Sequence, residues 1–313
     1  MASASVSSQG LLRIGLLQHA CPPSNTVEQN RQRTAELAKD AVGQGATLIV
    51  TQELFDGPYF PQVESDTQYT FAEDMPGTRT EFLGALAKEL GVFISGSCFE
   101  RRAPGLYHNR TVMIAPDGSF VSGGSYRKMH IPDDPRFFEK YYFAPGDGPT
   151  PGTDPKQDAG WCVVEHDQLP AKVGQLVCWD QWYPEAARCT ALLGAQVLLY
   201  PTAIAWHKEE ADDENQRQRD AWITIQRSHA IANGCFVCAI NRTGVEDDLT
   251  FWGSSFVAAP GGHLIAEAPV DEDCALVADL DLALIETNRQ GWPFFRDRRV
   301  DAYAPLLQRM CDG

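Results

Sequence analysis

Hydrophobic residues follow two alternating patterns along the chain: short, uninterrupted apolar runs, and longer stretches in which apolar residues recur at helical spacing. Apolar runs of roughly four to eight residues are typical of buried strands, whereas the helical spacing indicates amphipathic helices. In the first part of the chain, these patterns predict strands at residues 11–18, 46–51 and 92–97. They predict helices at residues 26–42, with Ser24 and Asn25 as candidate caps, and near residues 80–90.

The alternation continues in the second part of the chain, with two hairpins added. Helices are predicted at residues 184–193 and 216–233. The predicted strands lie at residues 109–115, 119–128, 172–177, 195–200, 235–241 and 276–279, with a second hairpin at residues 253–266. A stretch rich in Pro, Gly and Asp at residues 131–158 is too long for a simple connection, which indicates a functional loop.

One short sequence recurs after a predicted helix in each half of the chain. Gly45 begins Gly-Ala-Thr-Leu-Ile-Val, and Gly194 begins Gly-Ala-Gln-Val-Leu-Leu. Two copies of a helix followed by a strand indicate an α/β structure with internal pseudo-symmetry. Hairpins mixed with helical crossovers favour sheets covered by helices over an all-parallel sheet. Because no linker separates the halves, we predict one domain over residues 11–313, preceded by a flexible tail over residues 1–10.

Composition and charge narrow the range of partners and compartments. The 26 Lys and Arg residues against 42 Asp and Glu residues give a formal net charge of −16, which disfavours nucleic acid and anionic membrane surfaces. The apolar runs are too short for a transmembrane helix, and the polar N-terminus does not resemble a secretory signal. The nine cysteines are odd in number and scattered, as in reduced intracellular proteins, so we expect a cytoplasmic location.

Three chemically versatile residues follow predicted strands, where the active sites of α/β proteins form. Cys178 lies at a strand-to-helix turn, where backbone N–H groups converge and a helix N-terminus would lower the pKa of the thiol. Glu53 is a candidate general base, and Lys128 is a candidate cation for an oxyanion. Taken singly, a buried structural cysteine, a capping glutamate and a surface lysine are the commoner interpretations.

Together, the sequences around these residues resemble the three catalytic motifs of the nitrilase superfamily. The motifs are Thr51-Gln-Glu-Leu-Phe55, Tyr126-Arg-Lys-Met-His130 and the run from Val177 to Ala187. The resemblance extends from residue 11 to beyond residue 256. It implies a four-layer αββα sandwich, a homo-oligomer, and hydrolysis of a small carbon–nitrogen substrate without a metal or cofactor.

Within the superfamily, the chain is most similar to the N-carbamoylputrescine amidases. The similarity rests on Glu53-Leu-Phe-Asp-Gly-Pro-Tyr-Phe60, the run at residues 139–147, Asn241-Arg-Thr-Gly244 and the run at residues 251–256. It implies hydrolysis of N-carbamoylputrescine to putrescine, CO₂ and ammonia through a thioester on Cys178.

The resemblance also implies a role for each catalytic residue. Glu53 would take the proton of Cys178, and Lys128 with the backbone N–H of Trp179 would hold the oxyanion. Glu139 matches a second family glutamate that positions the lysine.

A cationic diamine needs an aromatic or acidic partner in its binding site. Near the motifs we predict that Tyr59, Trp179, Asp180 and Trp182 contact the substrate. The acidic partner stays open among Asp56, Glu100 and Asp180.

Three alternatives remain. The chain could hydrolyse a β-ureido acid, an aliphatic amide or a nitrile. It could also be a binding protein that keeps an inactive site, or a thiol redox protein built on Cys235 and Cys238. The histidines lack metal-binding spacing, so we expect no metal.

Overall fold

The computed structural model describes residues 10–148 and 160–311. Residues 1–9 of the predicted tail and residues 149–158 of the predicted functional loop lie outside the described residues. In the described part of the chain, no helix is both long and apolar enough to cross a membrane.

The described residues form strands and helices that alternate as the hydrophobic pattern predicts. The strands are β1 (Leu11–Gln18), β2 (Leu48–Thr51), β3 (Phe93–Ala103), β4 (Leu106–Ile114), β5 (Phe120–Arg127), β6 (Cys162–Val164), β7 (Val173–Gln175), β8 (Val197–Pro201), β9 (Ala205–His207), β10 (Phe236–Ile240), β11 (Thr243–Glu246), β12 (Leu249–Trp252), β13 (Phe256–Ala258), β14 (Leu264–Glu267) and β15 (Cys274–Asp281). The α-helices are α1 (Val27–Gly43), α2 (Thr78–Leu90), α3 (Glu139–Tyr142), α4 (Pro184–Leu192), α5 (Asp212–Asn233) and α6 (Ala283–Gly291).

Two six-stranded sheets have matching topologies. The first has the order β15-β1-β2-β3-β4-β5, and the second has the order β6-β7-β8-β10-β13-β14. In each sheet three central strands are parallel, β1-β2-β3 in the first and β7-β8-β10 in the second. The flanking pairs are antiparallel in both. This correspondence confirms the predicted pseudo-symmetry.

The sheets pack face to face between two layers of helices. Helices α1 and α2 pack on the first sheet, and α4 and α5 pack against the second. A single buried apolar cluster contains residues of both sheets, including Leu16 and Val50 from the first and Leu198 and Val237 from the second. The structure is therefore the predicted four-layer αββα sandwich.

The two repeated glycines occupy equivalent turns. Gly45 and Gly194 each follow a helix and precede a central strand, with φ angles of 93° and 104°. Only glycine adopts this backbone region without steric cost, which explains why the same residue stands in both copies.

Several local features differ from the sequence predictions, which did not include strand β6 or helices α3 and α6. Helix α1 is capped by Thr26, whose side chain accepts a hydrogen bond from the backbone of Gln29, and not by Ser24 or Asn25. Gln29 bonds back to the Thr26 backbone and completes a capping box. The sequence analysis also missed a third sheet, β11-β12-β9, because its strands are only three to four residues long.

Candidate active site

The three residues singled out from the motifs meet where strands end. Glu53 follows β2, Lys128 follows β5 and Cys178 follows β7. All three are buried, although their strands belong to different sheets. Glu139, at the start of α3, joins them. Sγ of Cys178 and a carboxylate oxygen from each glutamate lie within 4.8 Å of one another.

Lys128 bridges the two glutamates. Its Nζ lies 3.0 Å from Oε1 of Glu53 and 2.7 Å from Oε2 of Glu139. Burial alone would lower the pKa of Lys128, but the negative charges that Cys178, Glu139 and Glu53 carry when ionised outweigh burial and raise that pKa well above its usual value. Lys128 therefore bridges the two carboxylates as an ammonium.

Glu139 is held by hydrogen bonds to both of its oxygens. Oε2 accepts from Lys128, and Oε1 accepts from the hydroxyl of Tyr59 at 2.7 Å. Burial raises the pKa of Glu139 to about 7, against the opposing effect of Lys128. The carboxyl group therefore changes its charge near neutral pH.

Glu53 keeps one oxygen available for proton transfer. Oε1 accepts from Lys128 and, at 2.6 Å, from Nδ2 of Asn109. Oε2 is buried and has no hydrogen-bond partner among the described residues. The carbonyl of Asn109 also accepts from the backbone N–H of Lys128 at 2.9 Å. Asn109 thus aligns the base and the lysine, a role that its place inside a predicted strand did not reveal.

Cys178 lies in a constrained turn, and its thiol has a raised pKa. Its φ angle is +44°, which is uncommon for a residue with a side chain. Burial and the Glu53 carboxylate raise the pKa of the Cys178 thiol well above its usual value, and Lys128 opposes them. The prediction of a lowered pKa is wrong because burial and Glu53 determine its direction; only a short 3₁₀ helix runs from Cys178 to Trp182, and α4 begins at Pro184. The thiol needs a base, and Glu53 is adjacent.

The turn that carries Cys178 is tied to the segment that carries Lys128. Asp180 accepts hydrogen bonds through Oδ2 from Val177 N and the Tyr126 hydroxyl, at 2.9 and 2.8 Å. Through Oδ1 it accepts from the backbone N–H and, at 2.7 Å, from Nδ1 of His130. Asp180 is fully buried and is not part of the cavity wall, so its contacts are those of a positioning residue.

A cavity of about 620 Å³ opens beside Cys178. Its wall contains the predicted residues Trp179 and Trp182 together with Cys178. The other lining residues are Pro132, Asp134, Pro135, Phe137, Gln181, Ala203, Ile204, Ala205, His207, Glu209, Glu210, Gln218, Ala221 and Trp252. Tyr59 is not among them. Its side chain is buried, and its hydroxyl donates a hydrogen bond to Glu139.

The two other candidates for the acidic partner of the substrate form ion pairs with arginines and do not line the cavity. Asp56 accepts from Arg31 and Arg79, and Glu100 from Arg110 and Arg127. The cavity instead contains three acids that the sequence analysis missed, Asp134, Glu209 and Glu210.

The loop that carries Glu53 is held by a buried ion pair. Nη2 of Arg242 donates to the carbonyls of Glu53 and Leu54 at 2.9 and 2.8 Å. Nη1 of the same side chain bonds Oε1 of Glu246 at 2.7 Å. The motif Asn241-Arg-Thr-Gly244 was noted in the sequence, but the role of its arginine emerges only from these contacts.

Comparison with known proteins identifies the family. The carbon–nitrogen hydrolase family matches residues 13–290. The chain belongs to this family. The N-carbamoylputrescine amidase of Solanum lycopersicum is 41% identical over 306 residues, which cover 95% of each chain. The citrullinase of Francisella tularensis is 38% identical over 274 residues, covering 86% of this chain and 89% of that protein.

A solved structure supports the assignment. The carbon–nitrogen hydrolase from Helicobacter pylori G27 superimposes with a TM-score of 0.87 at 42% identity, over 96% of this chain and 100% of that chain. These comparisons confirm the predicted nitrilase superfamily, its fold and its class of chemistry.

Proposed function

We propose that the chain hydrolyses N-carbamoylputrescine to putrescine, CO₂ and ammonia, with Cys178 as nucleophile. The observation that carries the proposal is the cavity, in which three acids share a wall with the buried nucleophile. The substrate has an uncharged ureido group at one end and an ammonium at the other, so it complements this arrangement. The naming of relatives from Solanum lycopersicum and other plants as N-carbamoylputrescine amidases supports the same substrate.

In the first half of the reaction, a carbon–sulfur bond forms. Oε2 of Glu53 takes the proton of Cys178, and the thiolate attacks the ureido carbon. Lys128 and the backbone N–H of Trp179 stabilise the oxyanion. The bond to the terminal nitrogen then breaks, Glu53 gives its proton to that nitrogen, and ammonia leaves behind a carbamoyl thioester on Cys178.

In the second half, water releases the product. Glu53 takes a proton from water, the hydroxide attacks the thioester carbon, and the carbon–sulfur bond breaks. The thiolate regains its proton from Glu53. The carbamate that leaves the enzyme decomposes to CO₂ and putrescine. Lys128 keeps its charge throughout because Glu139 remains bonded to it.

The citrullinase relative makes a ureido amino acid the second candidate substrate. Its carboxylate, like that of a β-ureido acid, would face the negative charges of Asp134, Glu209 and Glu210. These acids therefore favour a substrate that ends in a cation.

The thiol redox interpretation fits the structure less well. Cys235 and Cys238 are fully buried, and burial raises the pKa of Cys235 to about 12 and that of Cys238 further. Neutral, inaccessible thiols react slowly in disulfide exchange.

The proposal also extends to assembly and location. We place residues 11–313 in one domain that works in the cytoplasm as a homo-oligomer. The nine cysteines are all unpaired, and apolar side chains near the C-terminus, including Trp292, Leu307 and Met310, are exposed and available to a second copy. Light scattering on purified protein tests the assembly.

The test of substrate class is ammonia release by the wild-type enzyme from four compounds: N-carbamoylputrescine, citrulline, β-ureidopropionate and a simple aliphatic amide. We expect the highest kcat/KM with N-carbamoylputrescine. Preference for either carboxylate-bearing compound would contradict the proposed substrate while leaving the catalytic residues in place.

A further inference from the structure

One carboxylate oxygen in the cavity wall has no partner. Oδ1 of Asp134 is buried and accepts no hydrogen bond from another described residue, although the residue as a whole is half-buried. Burial raises the pKa of Asp134, while its own backbone N–H and then the charges of His207 and Lys128 oppose this effect. An ionised carboxylate that is desolvated without a hydrogen-bonded cation is costly, unless a ligand supplies the missing charge.

The other acids around the cavity are engaged or exposed. Glu210 accepts through Oε2 from the His207 backbone at 3.2 Å and through Oε1 from Gln218 at 3.0 Å. Glu209 is exposed to solvent.

The nearby cationic side chains pair with acids other than Asp134. Arg136 and Lys208 both pair with Asp248, and Lys140 lies 4.0 Å from Asp133. Among the described residues, no salt bridge reaches the Asp134 carboxylate, which leaves its charge for a ligand.

The backbone holds Asp134 in place. Pro132 and Pro135 flank it and restrict the chain, and its carbonyl accepts from Phe137 N at 2.8 Å. The same short segment begins at Lys128 and ends at Glu139, which bond each other at 2.7 Å. Asp134 is therefore fixed relative to the catalytic groups, as a specificity determinant requires.

We infer that the Asp134 carboxylate receives the distal ammonium of the carbamoylated diamine and selects substrates that end in a primary amine. This inference rests on the proposed function. The ammonium of such a substrate is charged at neutral pH, like that of lysine. Its hydrogen bond to Oδ1 is made at the end remote from the reacting carbon, so it strengthens substrate binding.

The test compares Asp134→Asn with Asp133→Asn, a matched change at the adjacent, exposed aspartate. Each is assayed with N-carbamoylputrescine and with N-butylurea, which has the same carbon chain without the ammonium. We expect Asp134→Asn to lower kcat/KM for N-carbamoylputrescine by about 10- to 100-fold, the usual effect of one charge-assisted hydrogen bond. Hydrolysis of N-butylurea by this variant, and both activities of Asp133→Asn, should stay within about twofold of wild type.

Each other outcome has a distinct meaning. An unchanged kcat/KM for N-carbamoylputrescine in Asp134→Asn overturns the inference, and so does an equal loss on both substrates, which indicates general damage to the site. If the wild-type enzyme prefers N-butylurea to N-carbamoylputrescine, Asp134 does not select a cation. If the wild type hydrolyses neither compound, the proposed function itself fails. The inhibition constant of putrescine, which should rise in Asp134→Asn alone, is an independent readout of the same contact.

Discussion

The ammonium of Lys128 lies 2.7 Å from Oε2 of Glu139, and both side chains are fully buried. The same ammonium bonds Glu53, so one cation serves two carboxylates beside a neutral thiol. Burial and the second carboxylate raise the pKa of Glu139 to about 7, although Lys128 opposes the rise. We therefore expect the charge of Glu139 to change near neutral pH.

The first prediction concerns the pH dependence of the reaction. As the pH falls through about 7, Glu139 gains a proton and its ion pair with Lys128 becomes a neutral hydrogen bond. We expect kcat/KM of the wild type to decline below this pH and the decline to disappear in Glu139→Gln. The measurement is the pH profile of ammonia release, and an unchanged acid limb in Glu139→Gln would refute it.

The raised pKa of Glu139 also makes the stability of the folded protein depend on pH. Because the pKa of about 7 in the folded protein lies above the ordinary value of 4.5, the contribution of Glu139 to the free energy of unfolding is fully present below pH 4.5 and is lost as the pH rises through 7. Wild type should therefore lose stability relative to Glu139→Gln over this range. Denaturant unfolding at several pH values measures the difference, even if the variant is inactive.

The second prediction separates two roles for Tyr59. Its hydroxyl donates to Glu139 and lowers the pKa of that carboxyl. Removing the hydroxyl in Tyr59→Phe should move the acid limb of kcat/KM to higher pH and leave KM nearly unchanged. Tyr69→Phe is the matched control, because its hydroxyl bonds the Tyr141 carbonyl. A raised KM with an unchanged pH profile would instead indicate that Tyr59 contacts the substrate, as the sequence predicted.

The third prediction concerns Asp180, which ties the Cys178 turn to the Lys128 segment. The single oxygen of an amide cannot satisfy all the donors that face the carboxylate. We expect Asp180→Asn to lower kcat about tenfold or more while KM stays unchanged. Alkylation of Cys178 by iodoacetamide should slow in parallel. An increase in KM alone would show that Asp180 binds substrate.

The fourth prediction concerns the buried pair of Arg242 and Glu246. Breaking such a pair leaves an uncompensated charge, so Arg242→Met should destabilise the fold by about 3–5 kcal/mol. The double variant with Glu246→Gln should lose less than the sum of the single losses, because the pair interacts directly. Arg217→Met, which breaks only exposed ion pairs on α5, is the control and should be near wild type. Additive losses would contradict the role assigned to the pair.

The convergence of the candidate catalytic residues could be predicted because it depends on local sequence. Glu53 lies two residues after β2 and Cys178 three residues after β7, and the packing of the two sheets brings these strand ends together. The repeated glycines likewise marked equivalent turns in both sheets. Each of these features is determined by residues that lie close together in the sequence.

The substrate-binding residues could not be predicted in the same way. Asp56 and Glu100 lie near motifs, but arginines from distant segments neutralise them, and no local pattern shows this. Asp134 and Glu210 reach one cavity from loops that are far apart in sequence. The short strands of the third sheet, which carry His207 and Trp252, have too few residues for a periodic signal.

Ammonia release from N-carbamoylputrescine by the wild type, Cys178→Ala and Cys238→Ala tests the central claim most directly. Both variants remove one buried thiol, but only Cys178 lines the cavity. The account predicts full activity in the wild type, near-normal activity in Cys238→Ala and none in Cys178→Ala. Release that survives the loss of Cys178, or depends on Cys238 instead, would contradict it.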